Sequence, residues 1–206
     1  MNLGIAELPI VLIVILISMT FHEAMHAFTS HWLGDTTARD MGRLTLNPLK
    51  HIDLVMTVML PVIMIAFGIP PIFAAKPVPF NPDRVRYDEF GAALIGIAGP
   101  LTNLALAAAG AGVYRLIDPT GLTETILAIF IVINLSFFVF NMLPLPPLDG
   151  SRLLYAVAPE PLQKIMYQIE SMGFGMLLLI LILLSPVIGP ILSFTINGLL
   201  NFLVGI

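Results

Sequence analysis

The sequence contains no cysteine, and only 11% of its 206 residues are Asp, Glu, Lys or Arg. Without cysteine there is no disulfide framework, no thiolate metal site and no cysteine nucleophile, so any metal must be held by His and carboxylates. A soluble domain carries about 25% charged residues. Here 9 Lys+Arg and 13 Asp+Glu are too few to solvate a globule, which excludes a soluble fold. Basic charge is scarce as well: a net charge of −4 argues against nucleic acid as a main partner, because phosphate neutralisation needs clustered Lys and Arg. No long hydrophilic stretch, short-period repeat or low-complexity tract breaks the chain, so residues 1–206 read as one membrane domain. The N-terminal apolar run has no Lys or Arg before it and no small-residue cleavage site after it, so a retained span is expected rather than a cleaved leader.

What is abundant is apolar: 58% of residues are hydrophobic and the mean hydropathy is +0.98. Stretches free of charge run over residues 8–22, 54–75, 90–114, 125–148 and 171–206. A spanning helix needs roughly 20 apolar residues. The third and fourth stretches each fit one span. The last is long enough for two, divided at Ser185-Pro186 and Gly189-Pro190. The first becomes a span when continued to Trp32, an interfacial aromatic. The expectation is an all-α polytopic membrane protein with about five full spans. Its catalytic core covers about 8–155 and accessory C-terminal helices about 163–206.

Basic residues set the orientation. Arg39, Arg43 and Lys50, then Lys76, Arg84 and Arg86, then Arg152 and Lys164 lie in three segments, whereas 115–124 holds Arg115 offset by Asp118 and Glu124. The positive-inside rule puts those three segments in the cytoplasm. Two successive basic segments on one side then require residues 54–69 to form a re-entrant or interfacial hairpin, turned at Pro61 or at Gly68-Ile69-Pro70-Pro71.

Within the first span, His22-Glu23-Ala24-Met25-His26 reads H-E-x-x-H. Residues i and i+4 of a helix share a face, so both imidazoles can reach one metal, while Glu23 sits about 100° round and can reach water beside it. Such a cluster could instead be a polar lock between helices. Three ionisable groups in an apolar helix are costly, however, and are functional by default. A catalytic zinc takes three protein ligands, so one more is needed. His31 and His51 qualify by type but flank the membrane. Asp149 ends the proline-broken run Leu143-Pro144-Leu145-Pro146-Pro147-Leu148, where irregular backbone at membrane depth would line a cavity. An ordinary loop aspartate after a helix stop reads equally well.

Several further stretches accompany these residues: Gly42-Arg43-Leu44-Thr45-Leu46-Asn47-Pro48-Leu49-Lys50-His51-Ile52-Asp53, Ala75-Lys76-Pro77-Val78-Pro79, Gly99-Pro100-Leu101-x-Asn103 and Asn141-x-x-Pro144-x-Pro146-Pro147-Leu148-Asp149-Gly150. Together with His22-Glu23-x-x-His26 they resemble the site-2 protease family of intramembrane zinc metalloproteases over residues 18–155. The chain is similar to the minimal members, which lack PDZ and CBS insertions. Leu54 departs from the pattern, where a proline is expected. The resemblance implies Zn2+ as cofactor, Asp149 as third ligand with His22 and His26, and Glu23 as catalytic base. The substrates it implies are transmembrane proteins or peptides.

Asn103 and Asn141 sit in or at the ends of apolar spans. They could bind substrate backbone or the oxyanion, or satisfy an interhelical hydrogen bond; the resemblance favours the functional role. Residues 42–47 alternate with period two and could form a small membrane-associated strand that pairs with an unwound substrate. The small residues Gly96, Gly99 and Ala105 to Gly112 read as helix packing. The function expected is an intramembrane zinc endopeptidase in a prokaryotic plasma membrane, with its site toward the cytoplasm. The alternatives are a membrane metal transporter, which should spread ionisable groups along a path, and an inactive zinc-binding homologue, against which intact Glu23 counts.

Overall fold

The structure is a computed structural model that describes residues 5–52 and 78–205. Among these residues the elements are helices α1 (Leu8–Trp32), α2 (Thr37–Asp40), α3 (Asp88–Ile117), α4 (Gly121–Asn141), α5 (Gly150–Val157), α6 (Glu160–Ser171) and α7 (Phe174–Val204), with short 3-10 turns between some of them. No strand occurs among the described residues. Four helices, α1, α3, α4 and α7, are long and apolar enough to cross a membrane, so the chain is an integral membrane protein.

Helix α1 starts on Leu8-Pro9, where proline costs no backbone bond. It stops at Gly34, whose φ of +106° suits a residue without a Cβ. Helix α4 ends as the chain approaches Pro144, since the residue before a proline is pushed out of the α region. Helices α3 and α4 pack closely on small residues: a Cβ on Gly110 would lie 3.0 Å from the Phe130 ring. Ala107, Ala111, Ile131 and Leu135 form a core that Val204 of α7 closes from outside. A second core of Leu33, Val85 and Ile95, with Phe80 against it, sits at the other end of α3.

That second core positions the site. The N–H of Arg86 donates to Leu33 O at 2.9 Å, so the exit of α1 and the entry of α3 lie at one end of the bundle. The connection from α3 to α4 turns at Asp118, so the C-terminal end of α4 returns to that same end. The hairpin expected over 54–69, with Leu54, lies outside the described residues.

Two expectations are corrected. Residues 42–47 are turn and bend, not strand. Their side chains capture the local backbone instead: Thr45 Oγ1 accepts from Asn47 N, Asn47 Oδ1 from Leu49 N, and His51 Nε2 donates to Thr45 O at 2.8 Å. Such local bonds compete with a strand ladder. The C-terminal stretch forms one helix rather than two, so there are four candidate spans among the described residues. Pro186 cannot donate to Ile182 O, but the Ser185 hydroxyl does so at 2.8 Å, which re-satisfies the freed carbonyl and lets the apolar helix continue.

Candidate metal centre

Helix α1 presents His22 and His26 on one face, each 7% exposed, toward residues 95–103 of α3 and the segment after α4. Three donor atoms meet there. His22 Nε2 lies 3.0 Å from Asp149 Oδ2 and 3.0 Å from His26 Nε2, and His26 Nε2 lies 3.3 Å from Asp149 Oδ2. Among the described residues this is the one His/Asp/Glu group whose ligand atoms cluster closely enough to hold an ion. Zinc bonded tetrahedrally at about 2.0–2.1 Å separates its ligand atoms by roughly 3.3 Å, which these spacings approach.

The outer nitrogens explain why the inner ones face each other. His26 Nδ1 donates to Ile95 O at 2.7 Å, and His22 Nδ1 lies 2.6 Å from Asn103 Oδ1. Carbonyl oxygens only accept, so each Nδ1 carries a proton, and each ring in its neutral form turns an Nε2 lone pair inward. In that form two imidazole lone pairs and a carboxylate oxygen converge on one point. The donor set therefore fits a divalent metal, with second contacts of the kind that orient ligating histidines.

The scaffold makes room for this cluster at two glycines. At Gly99 a Cβ would strike His26 Nε2 and stand 2.7 Å from His22 Nε2. At Gly96 it would lie 2.9 Å from Asp149 O and from Arg152 Cβ. The small-residue stripe expected to serve helix packing thus also receives the imidazoles and the start of α5.

Glu23 is half-buried beside the cluster and outside its donor set. Its Oε2 accepts the N–H of Val78 at 3.1 Å, so the segment entering at residue 78 reaches this carboxylate. Three residues later Asn81 N donates to Asp35 Oδ2 at 2.8 Å. Asp35 also accepts from Thr37 N, Thr37 Oγ1 and Ser30 Oγ. Burial alone would raise the Asp35 carboxyl, but the hydrogen bonds from Thr37, Asn81 and Ser30 outweigh it and hold the group below its ordinary value.

The remaining candidates divide. Asn103 is fully buried, and its Nδ2 donates to Ser18 O at 3.3 Å and to Asn134 Oδ1 at 2.9 Å. Asn141, half-buried in the last turn of α4, donates to Phe137 O at 3.0 Å. His31 and His51 are not in the cluster; His51 is instead 2% exposed under the loop it closes. Asn134, the Val78 N–H and the Ile95 carbonyl had no role assigned from the sequence, although Val78 lies in the Ala75-Lys76-Pro77-Val78-Pro79 stretch. Asn134 alone left a signal, as an amide in mid-span that needs a partner. The backbone groups left none.

The chain is similar to several known proteins. The model of peptidase family M50 matches residues 115–184. The protein named "Putative zinc metalloprotease YwhC" of Bacillus subtilis is 36% identical over 197 residues, covering 90% of this chain and 87% of that protein. "Putative zinc metalloprotease Rip2" of Mycolicibacterium smegmatis is 30% identical over 176 residues, 83% of this chain and 65% of that protein. "Putative zinc metalloprotease MJ0611" of Methanocaldococcus jannaschii is 32% identical over 153 residues, 74% of this chain and 73% of that protein. No solved structure matches the chain.

Proposed function

The chain belongs to peptidase family M50, and from that premise we propose that it is a zinc metalloendopeptidase cutting peptide bonds within or near the transmembrane segments of other membrane proteins. The observation that carries the proposal is the meeting of His22 Nε2, His26 Nε2 and Asp149 Oδ2 within 3.3 Å of one another between spanning helices. These three residues would hold the zinc. Bound there, zinc supplies a Lewis acid that acidifies water and polarises a peptide carbonyl. Glu23 is the base: it takes the proton from water and returns it to the leaving amine. The Val78 N–H orients that carboxylate.

Asn103 serves the site by holding the His22 ring rather than by touching substrate, because its amide is spent on Ser18, Asn134 and His22. Asn141, in the last turn of α4 at the same end of the bundle, is the side chain assigned to substrate backbone. A substrate helix hides its peptide bonds in its own hydrogen bonds, so it unwinds locally to be cut. The site opens toward the cytoplasm of a prokaryotic cell. Arg39, Arg43, Arg84, Arg86 and Arg152 lie at its end of the bundle, whereas Arg115 lies at the other, bonded to Phe202 O at 2.9 Å.

Glu23→Gln tests the reading. Co-expressed with a membrane substrate, the variant should stop cleavage while retaining its zinc; unchanged turnover refutes the base assignment. Comparison of membrane proteomes from cells with the wild-type chain and with Glu23→Gln should reveal uncut substrates.

A further inference from the structure

We propose that Asn134 is a positioning residue for the metal centre: acting through Asn103, it dictates which nitrogen of His22 carries the proton and hence which one can bind zinc. The inference rests on the reading of His22, His26 and Asp149 as zinc ligands.

Two groups in the network have forced roles. The backbone carbonyls of Phe130 and Ser18 can only accept hydrogen bonds. Asn134 Nδ2 donates to Phe130 O at 2.8 Å, one turn back on α4. Its Oδ1 therefore faces α3 and accepts from Asn103 Nδ2 at 2.9 Å. The other Asn103 amide hydrogen goes to Ser18 O on α1 at 3.3 Å. Asn103 Oδ1 is then left against His22 Nδ1 at 2.6 Å. That oxygen cannot donate, so Nδ1 keeps the proton and Nε2 keeps its lone pair for the metal.

Asn103 and Asn134 are both 0% exposed, so bulk water does not compete for these bonds. The bond to Ser18 O is longer than the usual range for N–H···O, which leaves Asn134 as the stronger restraint on the Asn103 amide. With that restraint gone, the Asn103 amide can turn over and donate from Nδ2 to His22 Nδ1. The proton then moves to Nε2, the atom that faces His26 and Asp149, and the ring can no longer ligate. Three spans thus cooperate on one tautomer: α1 through Ser18 and His22, α3 through Asn103, and α4 through Asn134.

A plain interhelical tie between α3 and α4 predicts something different, and a two-by-two cycle separates them. Zinc dissociation constants are measured by chelator competition on the full chain in detergent for wild type, Asn134→Leu, Asn103→Asp and the double variant. A carboxylate at 103 accepts from His22 Nδ1 whichever way it turns, as in the carboxylate–histidine–zinc arrangement. Asn134→Leu should weaken zinc at least tenfold in the wild-type background and less than twofold in the Asn103→Asp background. A loss under twofold in the wild-type background, or an equal loss in both, overturns the proposal. Circular dichroism checks the fold, and Asn134→Ala replaces the leucine variant if that one does not fold.

A second measurement needs no variant. Histidine 15N shifts of wild-type protein stripped of metal should show neutral His22 protonated at Nδ1; a proton on Nε2 overturns the relay. If wild type binds no zinc, the ligand assignment itself falls, and the shifts still judge the relay separately.

Discussion

Gly99 of α3 and His26 of α1 approach so closely that no side chain fits between them: a Cβ on Gly99 would overlap His26 Nε2 and lie 2.7 Å from His22 Nε2. Alanine is a better helix former than glycine by about 1 kcal/mol, so Gly99→Ala favours α3 itself while displacing both rings. The expected outcome is a folded protein with normal helicity whose zinc affinity and peptidase activity fall at least tenfold. Metal analysis after dialysis and a cleavage assay check it; full zinc occupancy with full activity contradicts the geometry.

Gly150 does for Asp149 what Gly99 does for the histidines. A Cβ there would strike the Met142 carbonyl and stand 2.8 Å from Leu143 O. These are backbone atoms that cannot swing aside, so Gly150→Ala must shift the start of α5 and the adjacent Asp149. Overpacking of this kind costs about 1–3 kcal/mol. Thermal unfolding should register the loss of stability, and zinc titration a weaker site.

Asp35 ties the exit of α1 to the segment that reaches Glu23. It accepts from Thr37 N, Thr37 Oγ1, Asn81 N and Ser30 Oγ, and its carboxyl is held below the ordinary value. A folded value below the unfolded one means that this stabilisation is fully present above the ordinary carboxylate range. It is lost as pH falls through the folded value. Asp35→Ala, which leaves these donors unpaired, should cost about 3 kcal/mol at neutral pH. The gap between wild type and variant should narrow in acid; a gap that widens there contradicts the shift.

Removal of zinc should abolish peptidase activity and lower the unfolding temperature, because a ligand at a hundredfold its dissociation constant adds about 2.7 kcal/mol to the folded state. Added zinc should restore both. Asp149→Ala should sharply reduce bound zinc where Glu23→Gln does not; equal zinc content in the two variants would place the third ligand elsewhere.

Arg152 pairs with Glu170 across α5 and α6, both about a third exposed, and its guanidinium lies 5.5 Å from the Phe80 ring centre. Exposed pairs contribute about 0–1 kcal/mol. Glu170→Gln should therefore change the unfolding free energy by less than about 1 kcal/mol, measured by denaturant titration.

Helix periodicity carries information over a single turn, which is why His22, Glu23 and His26 were legible as a unit. Asp149 was legible as a possibility, because a proline-broken stop at membrane depth calls for a polar purpose, and its meeting with His22 needed the bundle. Asn103 and Asn141 looked alike in the sequence yet differ in the structure: one is buried against His22, the other bonds its own helix. Residues 42–47 had a strand's alternation, but Thr45 and Asn47 preferred nearby backbone groups. At the C-terminus, proline looked like a break until Ser185 supplied the missing donor.

The amino-acid order alone determined the membrane class, most of the spans and the histidine pair on one face of α1, because hydropathy and helical spacing are properties of contiguous residues. Tertiary structure decided which carboxylate meets that pair, which amide lies against His22 and which glycines of α3 leave room for the rings. Those are contacts between residues 31 to 127 positions apart, and distance along a chain says nothing about distance in space until the helices pack.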